Sequence, residues 1–468
     1  MRAWLRSRRV DLILAGVYLL VCAALDHFHF SPIDIDSHSY LNLAKGIAER
    51  GEFKLAEDSG RYVSTFTRTP GYPGFLAVLS VFGGATVSVA IWLQRLGWAW
   101  LIACFLPAVG ALGNPSTRWP AGIAKALALF LPLSVVTTST VLAETLYTIL
   151  TVVGIWLLCG SWNMGRAAAA GLLLGVATLV RPVGLWVPML ACGTLGFVRL
   201  LGSIAKLDRR GLASLLIALF IGLGIPAVWM WHVKAIAGRF ALTSLNGPTF
   251  ALNRQQVIEG LDPGAVRKLP TTQQIYVNLV KREKDVYWAV VLLRRELKLD
   301  EFSANDVAEE VARYAVLSEP GDYLRTISMN LTRTFCSATE GLQLFATLSG
   351  RLEIKDEIWR IARERSDWVV MIAHLLLRGI QPVFLLLVPA YLLWRYRHEL
   401  SRDELTVALV VCAGYLVLAP ALLTVSYGRF LFPALPAIVC VYALPRWRNS
   451  VSVKGPIGNA RDVADSIG

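Results

Sequence analysis

The sequence predicts an all-α, polytopic integral membrane protein of about ten transmembrane helices, and three observations support this fold class. Of the 468 residues, 55% are hydrophobic and only 17% are charged, whereas soluble domains carry about 25% charged residues. The mean hydropathy is +0.53. Apolar stretches of about 20 residues, the length that spans hydrocarbon, recur along the chain. They lie at residues 10–26, 85–112, 119–137, 141–160, 167–181, 183–200, 211–233, 368–394, 405–424 and 427–445.

Two longer, more polar segments separate these stretches and divide the chain into four predicted regions. An N-terminal membrane module, residues 1–233, includes the first outer segment at residues 27–84. Residues 234–367 form a second outer segment, whose alternating acidic and basic residues predict solvated or interfacial helices. Residues 368–448 hold the C-terminal membrane helices. Residues 449–468 are polar and are expected to form a disordered cytoplasmic tail.

The positions of the basic residues predict how the chain is threaded through the membrane. The net charge of +13 suggests nucleic acid as one partner, but the basic residues gather at alternate connections between apolar stretches. That is the positive-inside pattern, which places both termini in the cytoplasm and both outer segments outside. We therefore expect membrane lipid, and not nucleic acid, as a partner. The connections carry Arg2, Arg6, Arg8, Arg9, Arg118, Arg166, Arg199, Lys206, Arg209, Arg210, Arg395, Arg397, Arg402, Arg446, Arg448 and Lys454.

The first apolar stretch also has a second interpretation. Met1 to Ala24 fits a secretory signal, because it has a basic start, an apolar run and small residues at its end. The topology expected for the rest of the chain hardly depends on which interpretation holds.

The cysteines and histidines do not predict a metal site. The chain has seven cysteines and six histidines, and neither a CxxC nor an HExxH spacing occurs among them. All the cysteines except Cys336 lie in or beside apolar stretches, where cysteine packs as a small apolar side chain. We therefore assign no cysteine or histidine as a metal ligand.

The first outer segment carries two carboxylates, Asp34 and Asp36, soon after the first apolar stretch. An amphipathic helix is predicted around residues 40–50, because apolar residues recur from Tyr40 at helical spacing. Asp36 is open to two interpretations: a helix N-cap, or a general base or metal ligand that the helix dipole keeps ionised. Asp34 is expected to be a solvated neighbour.

Three arginines and one glutamate are expected to converge on the outer face when the helices are threaded alternately. They are Arg68, Arg181, Arg429 and Glu144. A charge within hydrocarbon costs about 2.5–3.5 kcal/mol, so such residues pair or line a polar cavity. Glu144 and Arg181 can form a structural pair. Arg68 and Arg429 have no obvious partner in the sequence and suit the binding of an anion. Arg95 lies inside the second apolar stretch, and we expect it to make structural hydrogen bonds.

Five stretches, taken in order, resemble motifs of the GT-C superfamily of glycosyltransferases. They are Asp36–Ala44 (D-S-x-x-Y-x-x-L-A), Arg68–Pro73 (R-x-P-G-Y-P), Ala143–Tyr147, Gly171–Pro182 and Arg429–Pro436. The relatives that they resemble are bacterial protein O-mannosyltransferases and the aminoarabinose transferases that modify lipid A. The resemblance implies a GT-C-like fold in the bacterial inner membrane, with an active site that faces the periplasm or cell exterior.

The resemblance also implies a reaction and assigns residues to it. A monosaccharide would pass from a polyprenyl phosphate donor to a lipid, glycan or protein acceptor, as in lipopolysaccharide modification or protein glycosylation, with inversion at the anomeric carbon. The essential aspartate would be Asp36, and Arg68, Tyr40 and Arg429 would bind the donor phosphate. Supporting positions are Asp34, Glu144, Arg181 and Tyr72. A divalent cation would assist by the same electrostatic logic, although the sequence does not show one.

The chain departs from the aminoarabinose transferases at two positions. Ser39 stands where they have an arginine, and Thr67 stands where they have an acidic residue. The chain also ends without a sizeable outer C-terminal domain, and these departures bear on the substrate more than on the reaction. The alternative is a transporter or flippase of lipid-linked sugars, in which the same arginines bind phosphate but no group is transferred. Many such transporters carry internal repeats, and we find none here.

Overall fold

The structure is a computed structural model, and its described residues are almost entirely helical. It describes residues 9–27, 33, 35–56, 62–108, 118–159, 163–200, 208–252, 254–336, 381–397, 404–423 and 428–443. Within these ranges the only sheet is a two-stranded antiparallel hairpin. The predicted all-α class is therefore confirmed.

Among the described residues, the N-terminal module contains ten numbered helices, the hairpin and several shorter helical turns. In chain order they are α1 (Arg9–His27), α2 (Ile35–Arg50), β1 (Lys54–Ala56), β2 (Tyr62–Ser64), α3 (Gly71–Leu79), α4 (Thr86–Trp100), α5 (Arg118–Phe130), α6 (Pro132–Thr138), α7 (Glu144–Leu158), α8 (Met164–Val180), α9 (Val187–Leu200) and α10 (Arg209–Ala237). Helix α3 continues into a 3₁₀ turn at Ser80–Ala85, and a second 3₁₀ turn, Pro182–Trp186, precedes α9. Helix α4 runs on through a π-helical turn, Leu101–Phe105, to the short helix Leu106–Ala108.

The remainder of the described chain is also helical. It comprises α11 (Asn246–Leu252), α12 (Gln255–Gly260), α13 (Pro263–Val266), α14 (Thr271–Glu283), α15 (Val286–Leu297), α16 (Glu301–Ser318), α17 (Pro320–Cys336), a π-helical turn (Val383–Leu387), α18 (Val388–Arg395), α19 (Glu404–Leu423), a 3₁₀ turn (Gly428–Ala434) and α20 (Leu435–Ala443). The predicted C-terminal tail lies outside the described residues.

Four of the described helices are long and apolar enough to cross a membrane. They are Arg9–His27, Thr86–Phe105, Pro182–Leu200 and Arg209–Ala237. Shorter apolar helices occupy other predicted stretches, at Gly71–Gly84, Glu144–Leu158, Met164–Val180, Val383–Arg395, Glu404–Pro420 and Leu431–Tyr442. Each of the predicted apolar stretches contains a described helix, so the protein is a multi-pass membrane protein.

Small residues on α8 let the central helices of the bundle approach closely. Gly171 faces α10 so tightly that an added Cβ would lie 2.6 Å from the carbonyl oxygen of Ala218. One turn later, a Cβ on Gly175 would meet Ile225 at 2.8 Å. This is the small-residue spacing by which membrane helices pack without a hydrophobic driving force between them.

Residues 234–367, the predicted second outer segment, include a helical domain with its own core, called here the outer helical domain. Helices α11 to α16 bury apolar residues against one another, among them Ile258, Val277, Leu293 and Val311. This core is separate from the membrane-bundle core, which contains residues such as Trp98 and Phe432.

Candidate active site at one end of the helix bundle

Asp36 lies in the first turn of α2. The helix begins at Ile35, so the N-cap interpretation of Asp36 is wrong. Helix formation here follows the predicted periodicity, because Tyr40, Leu43 and Ala44 form the buried face. The first turn places the Asp36 carboxylate close to the free amides and the positive end of the helix dipole, which favours its ionised form.

Asp36 forms an ion pair with Arg68. The Nη2 of Arg68 donates to Oδ1 of Asp36 at 2.5 Å. The side chains are 23% exposed for Arg68 and 25% for Asp36. The expectation that Arg68 lacks a partner is therefore wrong, because the chain brings back to it a carboxylate that lies 32 residues earlier. The pair is half-buried and can still be reached by a ligand.

Two tyrosines that pack edge to face lie beneath the guanidinium of Arg68. Its Cζ is 5.0 Å from the ring centroid of Tyr40, within cation–π range. The ring of Tyr40 meets that of Tyr72 edge-on, with centroids 4.9 Å apart. Burial raises the pKa of Tyr40 above its usual value, so its hydroxyl stays protonated and can donate a hydrogen bond.

Gln94 holds Tyr72 in place from below. The hydroxyl of Tyr72 donates to Oε1 of Gln94 at 2.8 Å, and Nε2 of Gln94 donates to the carbonyl oxygen of Thr140 at 2.9 Å. Tyr72 is fully buried and Gln94 is 3% exposed. A buried amide that satisfies both of its ends fixes the orientation of the tyrosine.

A second ion pair joins α7 to the end of α8 beside the first pair. Nη2 of Arg181 lies 3.2 Å from Oε1 of Glu144, so the predicted pairing is confirmed. Glu144 and Arg181 both act electrostatically on Tyr40, as Asp36 and Arg68 do, so the two ion pairs lie near the same ring. Gly71 explains how α3 reaches this place, because a Cβ there would lie 2.5 Å from the backbone at Leu179.

The second outer segment holds the loop that carries the site arginine. The hydroxyl of Thr243 donates to the carbonyl oxygens of Phe66 and Thr67 at 3.0 and 3.1 Å. The amide of Ser244 donates to the Phe66 carbonyl at 2.8 Å. The amide of Phe66 in turn donates to Oε1 of Glu301 on α16 at 3.2 Å. Four hydrogen bonds thus connect the outer helical domain to this loop.

The guanidinium of Arg68 keeps donor capacity for a ligand. Its Nε is buried and has no hydrogen-bond partner among the described residues. Burial alone would lower the pKa of Arg68, but the charge and hydrogen bond of the Asp36 carboxylate oppose this effect and the pKa is raised, so the group remains a cation. A buried donor without a partner costs about 1–3 kcal/mol, a cost that an incoming acceptor would remove.

Two of the predicted site residues are not placed by the described structure. Asp34 lies outside the described residues. The backbone of Arg429 belongs to the 3₁₀ turn Gly428–Ala434, but its side chain is not among those described. Their roles remain predictions. The described residues contain no group of three or more acidic, histidine or cysteine side chains arranged to hold a metal ion.

Sequence reasoning missed several residues that build the site. The hydroxyl of Ser37 donates to the carbonyl oxygen of Val141 at 2.9 Å and ties α2 to the segment before α7. Gln94 was detectable in principle, since an amide inside an apolar stretch must find a partner. Glu301 is one acidic residue among many in a polar segment, and the sequence gives no signal that singles it out.

Comparison with known proteins gives structural neighbours only. No protein-family model and no curated protein matches the chain. The oligosaccharyltransferase AglB from Archaeoglobus fulgidus, solved with an inhibitory peptide and a dolichol-phosphate, aligns over 97% of this chain and 53% of its own, with 11% identity and a TM-score of 0.44. A second structure of that enzyme, tethered to an acceptor peptide, gives 12% identity and a TM-score of 0.48. The chain thus spans about half the length of these proteins.

ArnT from Cupriavidus metallidurans is also similar. Its structure bound to undecaprenyl phosphate aligns over 93% of this chain and 77% of its own, with 13% identity and a TM-score of 0.40. AglB and ArnT are both GT-C superfamily members, the class whose motifs the sequence resembles. All four alignments have TM-scores below 0.5.

Proposed function

We propose that the protein is a membrane glycosyltransferase that moves a monosaccharide from a polyprenyl phosphate to a lipid, glycan or protein acceptor. The observation that carries this proposal is the half-buried Asp36–Arg68 ion pair, set over Tyr40 at one end of the bundle. It puts a carboxylate suited to proton abstraction beside a cation suited to phosphate.

In this mechanism, the ion pair is the resting arrangement of the site. Arg68 uses one nitrogen to hold Asp36, while its Nε is buried without a partner among the described residues. A donor phosphate offers several charged oxygens to the planar guanidinium and competes with the single carboxylate oxygen. Binding of the donor would therefore release Asp36 to act as a base.

The transfer itself is a displacement at the anomeric carbon. Asp36 accepts the proton of an acceptor hydroxyl as the oxygen of that hydroxyl forms the new bond to the sugar. The bond between the anomeric carbon and the phosphate oxygen breaks, and the polyprenyl phosphate leaves with the electron pair. Attack from the side opposite the phosphate inverts the configuration. General base catalysis of this kind contributes about 10²–10⁴-fold to the rate.

Charge grows on the phosphate as the sugar departs, and the site has groups to stabilise it. Arg68, which remains a cation, is the first hydrogen-bond donor to the phosphate. The Tyr40 hydroxyl, which burial keeps protonated, is the second. Arg429 is proposed as a third phosphate contact from its place in the sequence. Glu144 and Arg181 hold the neighbouring helices together and shape the field at Tyr40.

The proposed active site faces the periplasm or cell exterior of a bacterial inner membrane. This orientation follows from the positive-inside distribution of the basic residues. A polyprenyl chain would lie in the bilayer beside the bundle, with its phosphate at the level of Arg68. The cationic partner of Asp36 in this mechanism is Arg68.

The test is mass spectrometry of lipids and surface glycans from cells with and without the gene. We expect one lipid, glycan or glycoprotein to lose a single sugar residue in the deletion strain, and to regain it when the wild-type gene is restored. Unchanged envelope glycans would contradict a transferase. A transporter would instead cause whole lipid-linked sugars to accumulate on the cytoplasmic side, with the acceptors unmodified.

A further inference from the structure

Helix α15 (Val286–Leu297) exposes an unusual face to its surroundings. Its buried side, formed by Val286, Ala289, Val290 and Leu293, packs into the core of the outer helical domain. The opposite side is exposed and carries Tyr287, Trp288, Val291, Arg294 and Arg295. At 3.6 residues per turn these five residues fall within an arc of about 120°, so they form one continuous surface. We call this surface the α15 face.

The composition of the α15 face is atypical of a surface in water. Trp288 is 46% exposed, Val291 is 40% exposed and Tyr287 is 37% exposed. Contiguous exposed apolar side chains are uncommon on a surface that faces only water. Aromatic and aliphatic residues followed by two arginines are the combination found where a helix lies at a membrane interface.

Basic and acidic side chains are segregated between two neighbouring segments of the outer helical domain. Residues 284–298 carry four basic and two acidic side chains, whereas Glu301–Ser318 carries four acidic and one basic. The basic side chains of the first segment are Lys284, Arg294, Arg295 and Lys298. An anionic surface attracts the basic segment more strongly than the acidic one, so it favours an orientation of the domain with α15 towards that surface.

The N-terminal end of α15 lies close to the membrane end of the domain. The hydroxyl of Tyr287, in the first turn of α15, lies 3.3 Å from that of Thr249 on α11, the helix that follows Ser244 and its hydrogen bond to Phe66. Arg68 in turn lies three residues before the start of the apolar helix α3 at Gly71. The helix therefore starts beside the point where the chain enters the bundle.

We infer that the α15 face docks on the bilayer surface next to the candidate active site and binds anionic phospholipid headgroups. Trp288 and Val291 enter the interfacial layer, while Arg294 and Arg295 contact headgroup phosphates. This contact steadies the domain whose Thr243, Ser244 and Glu301 hold the loop of the site. It does not depend on the reaction that the site performs.

The test follows the fluorescence of Trp288 in the full-length protein in lipid nanodiscs. The signal of interest is the emission of the wild type minus that of Trp288→Phe. It is measured in discs of phosphatidylcholine with about 30% phosphatidylglycerol, an anionic lipid that attracts basic segments. The phosphatidylglycerol is brominated on its acyl chains. We expect the Trp288 signal to be quenched in these discs. Brominated phosphatidylcholine without anionic lipid should quench it far less.

Charge variants test the role of the arginines. Arg294→Gln/Arg295→Gln should lower the ratio of docked to undocked domain roughly 25-fold, because each basic residue near an anionic surface contributes about five-fold. The matched control is Arg267→Gln/Lys268→Gln, which removes two exposed basic residues from another part of the domain. The control should be quenched like the wild type.

Three results would overturn the inference. One is a Trp288 signal that the brominated anionic lipid leaves unquenched. Another is equal quenching in the arginine variant and the wild type, which would remove the headgroup contact. The third is a Trp288 signal that responds to protein concentration and not to lipid, which would assign the α15 face to a second copy of the chain.

Discussion

The two ends of the helix bundle use the same kind of ion pair in opposite ways. At one end, Asp36 and Arg68 are each about a quarter exposed. At the other end, Arg199 on α9 pairs with Glu404 on α19, and the side chains are only 1% and 8% exposed. The helical span Pro182–Leu200 has 19 residues and is about 28 Å long at 1.5 Å per residue, so the two pairs lie about a membrane thickness apart.

The difference in exposure distinguishes an ion pair that can bind a ligand from one that only stabilises the fold. A buried pair has lost its hydration, and removing one partner leaves an uncompensated charge that no solvent reaches. The far end has a second buried pair, between Asp11 on α1 and Lys125 on α5. The half-exposed pair at Asp36 and Arg68 can exchange its partner for a ligand at much lower cost. Chemistry is therefore expected only at that end.

The largest effect is expected from Asp36→Asn. Loss of the base should lower the transfer rate by about 10²–10⁴-fold while the protein stays folded. The measurement is product formation by mass spectrometry, normalised to the amount of folded protein. Asp306→Asn is the matched control, because Asp306 forms a separate ion pair with Arg239 at 2.6 Å, in which the side chains are 46% and 54% exposed. Wild-type turnover in the Asp36 variant would remove this residue from catalysis.

Arg199→Gln should affect stability and not chemistry. Breaking a buried pair by removing one partner costs about 3–5 kcal/mol of unfolding free energy. Thermal unfolding of the purified protein in detergent measures the loss, and activity per folded molecule should stay near the wild-type value. If Arg199→Gln unfolds at the wild-type temperature but has no transferase activity, the Arg199–Glu404 pair is not purely structural and the proposed difference between the two ends is wrong.

Arg68→Ala should weaken use of the donor. A charge-assisted hydrogen bond to phosphate is worth about 1.5–3 kcal/mol, so we expect KM for the donor to rise about 10–100-fold. Arg68→Lys should recover only part of the loss, since an ammonium lacks the planar fork. The control is Arg239→Ala. If Arg68→Ala lowers the melting temperature and leaves KM unchanged, the arginine is structural.

Gln94→Leu should give the smallest effect. Removing the acceptor of the Tyr72 hydroxyl loosens the ring that supports Tyr40, at a cost of about 1 kcal/mol or about five-fold in kcat/KM. Because Tyr72→Phe removes the other half of the same bond, the double variant should cost less than the sum of the single variants. Additive effects would mean that the bond does not position the site.

The sequence predicted the bundle well, because an apolar stretch of membrane length has few alternatives to a helix. It also predicted the Glu144–Arg181 pair, since both charges come at helix ends on the same side. Arg95 was expected to form structural hydrogen bonds, and it does. Its Nη1 and Nη2 each lie 2.7 Å from an oxygen of Asp26, and its Nη2 is 3.0 Å from the Ser139 hydroxyl.

The contacts between segments that are distant in the chain could not be predicted from the sequence pattern. Asp36 looked like an N-cap because the start of a helix is difficult to place to within a residue or two. Arg68 looked unpaired because its partner depends on how the first outer segment folds back. The hydrogen bonds from Thr243 and Glu301 join residues more than 170 positions apart along the chain, and no periodicity encodes such pairing.

The most direct measurement is the affinity of the purified protein for undecaprenyl phosphate in nanodiscs, compared among the wild type, Arg68→Ala and Asp36→Asn. Exchange of a carboxylate for a phosphate at one guanidinium predicts that Arg68→Ala binds about tenfold or more weakly. The same exchange predicts that Asp36→Asn binds at least as tightly as the wild type, because the arginine no longer has a competing partner. Unchanged affinity in Arg68→Ala, or a parallel loss in both variants, would contradict an exchangeable pair at this end of the bundle.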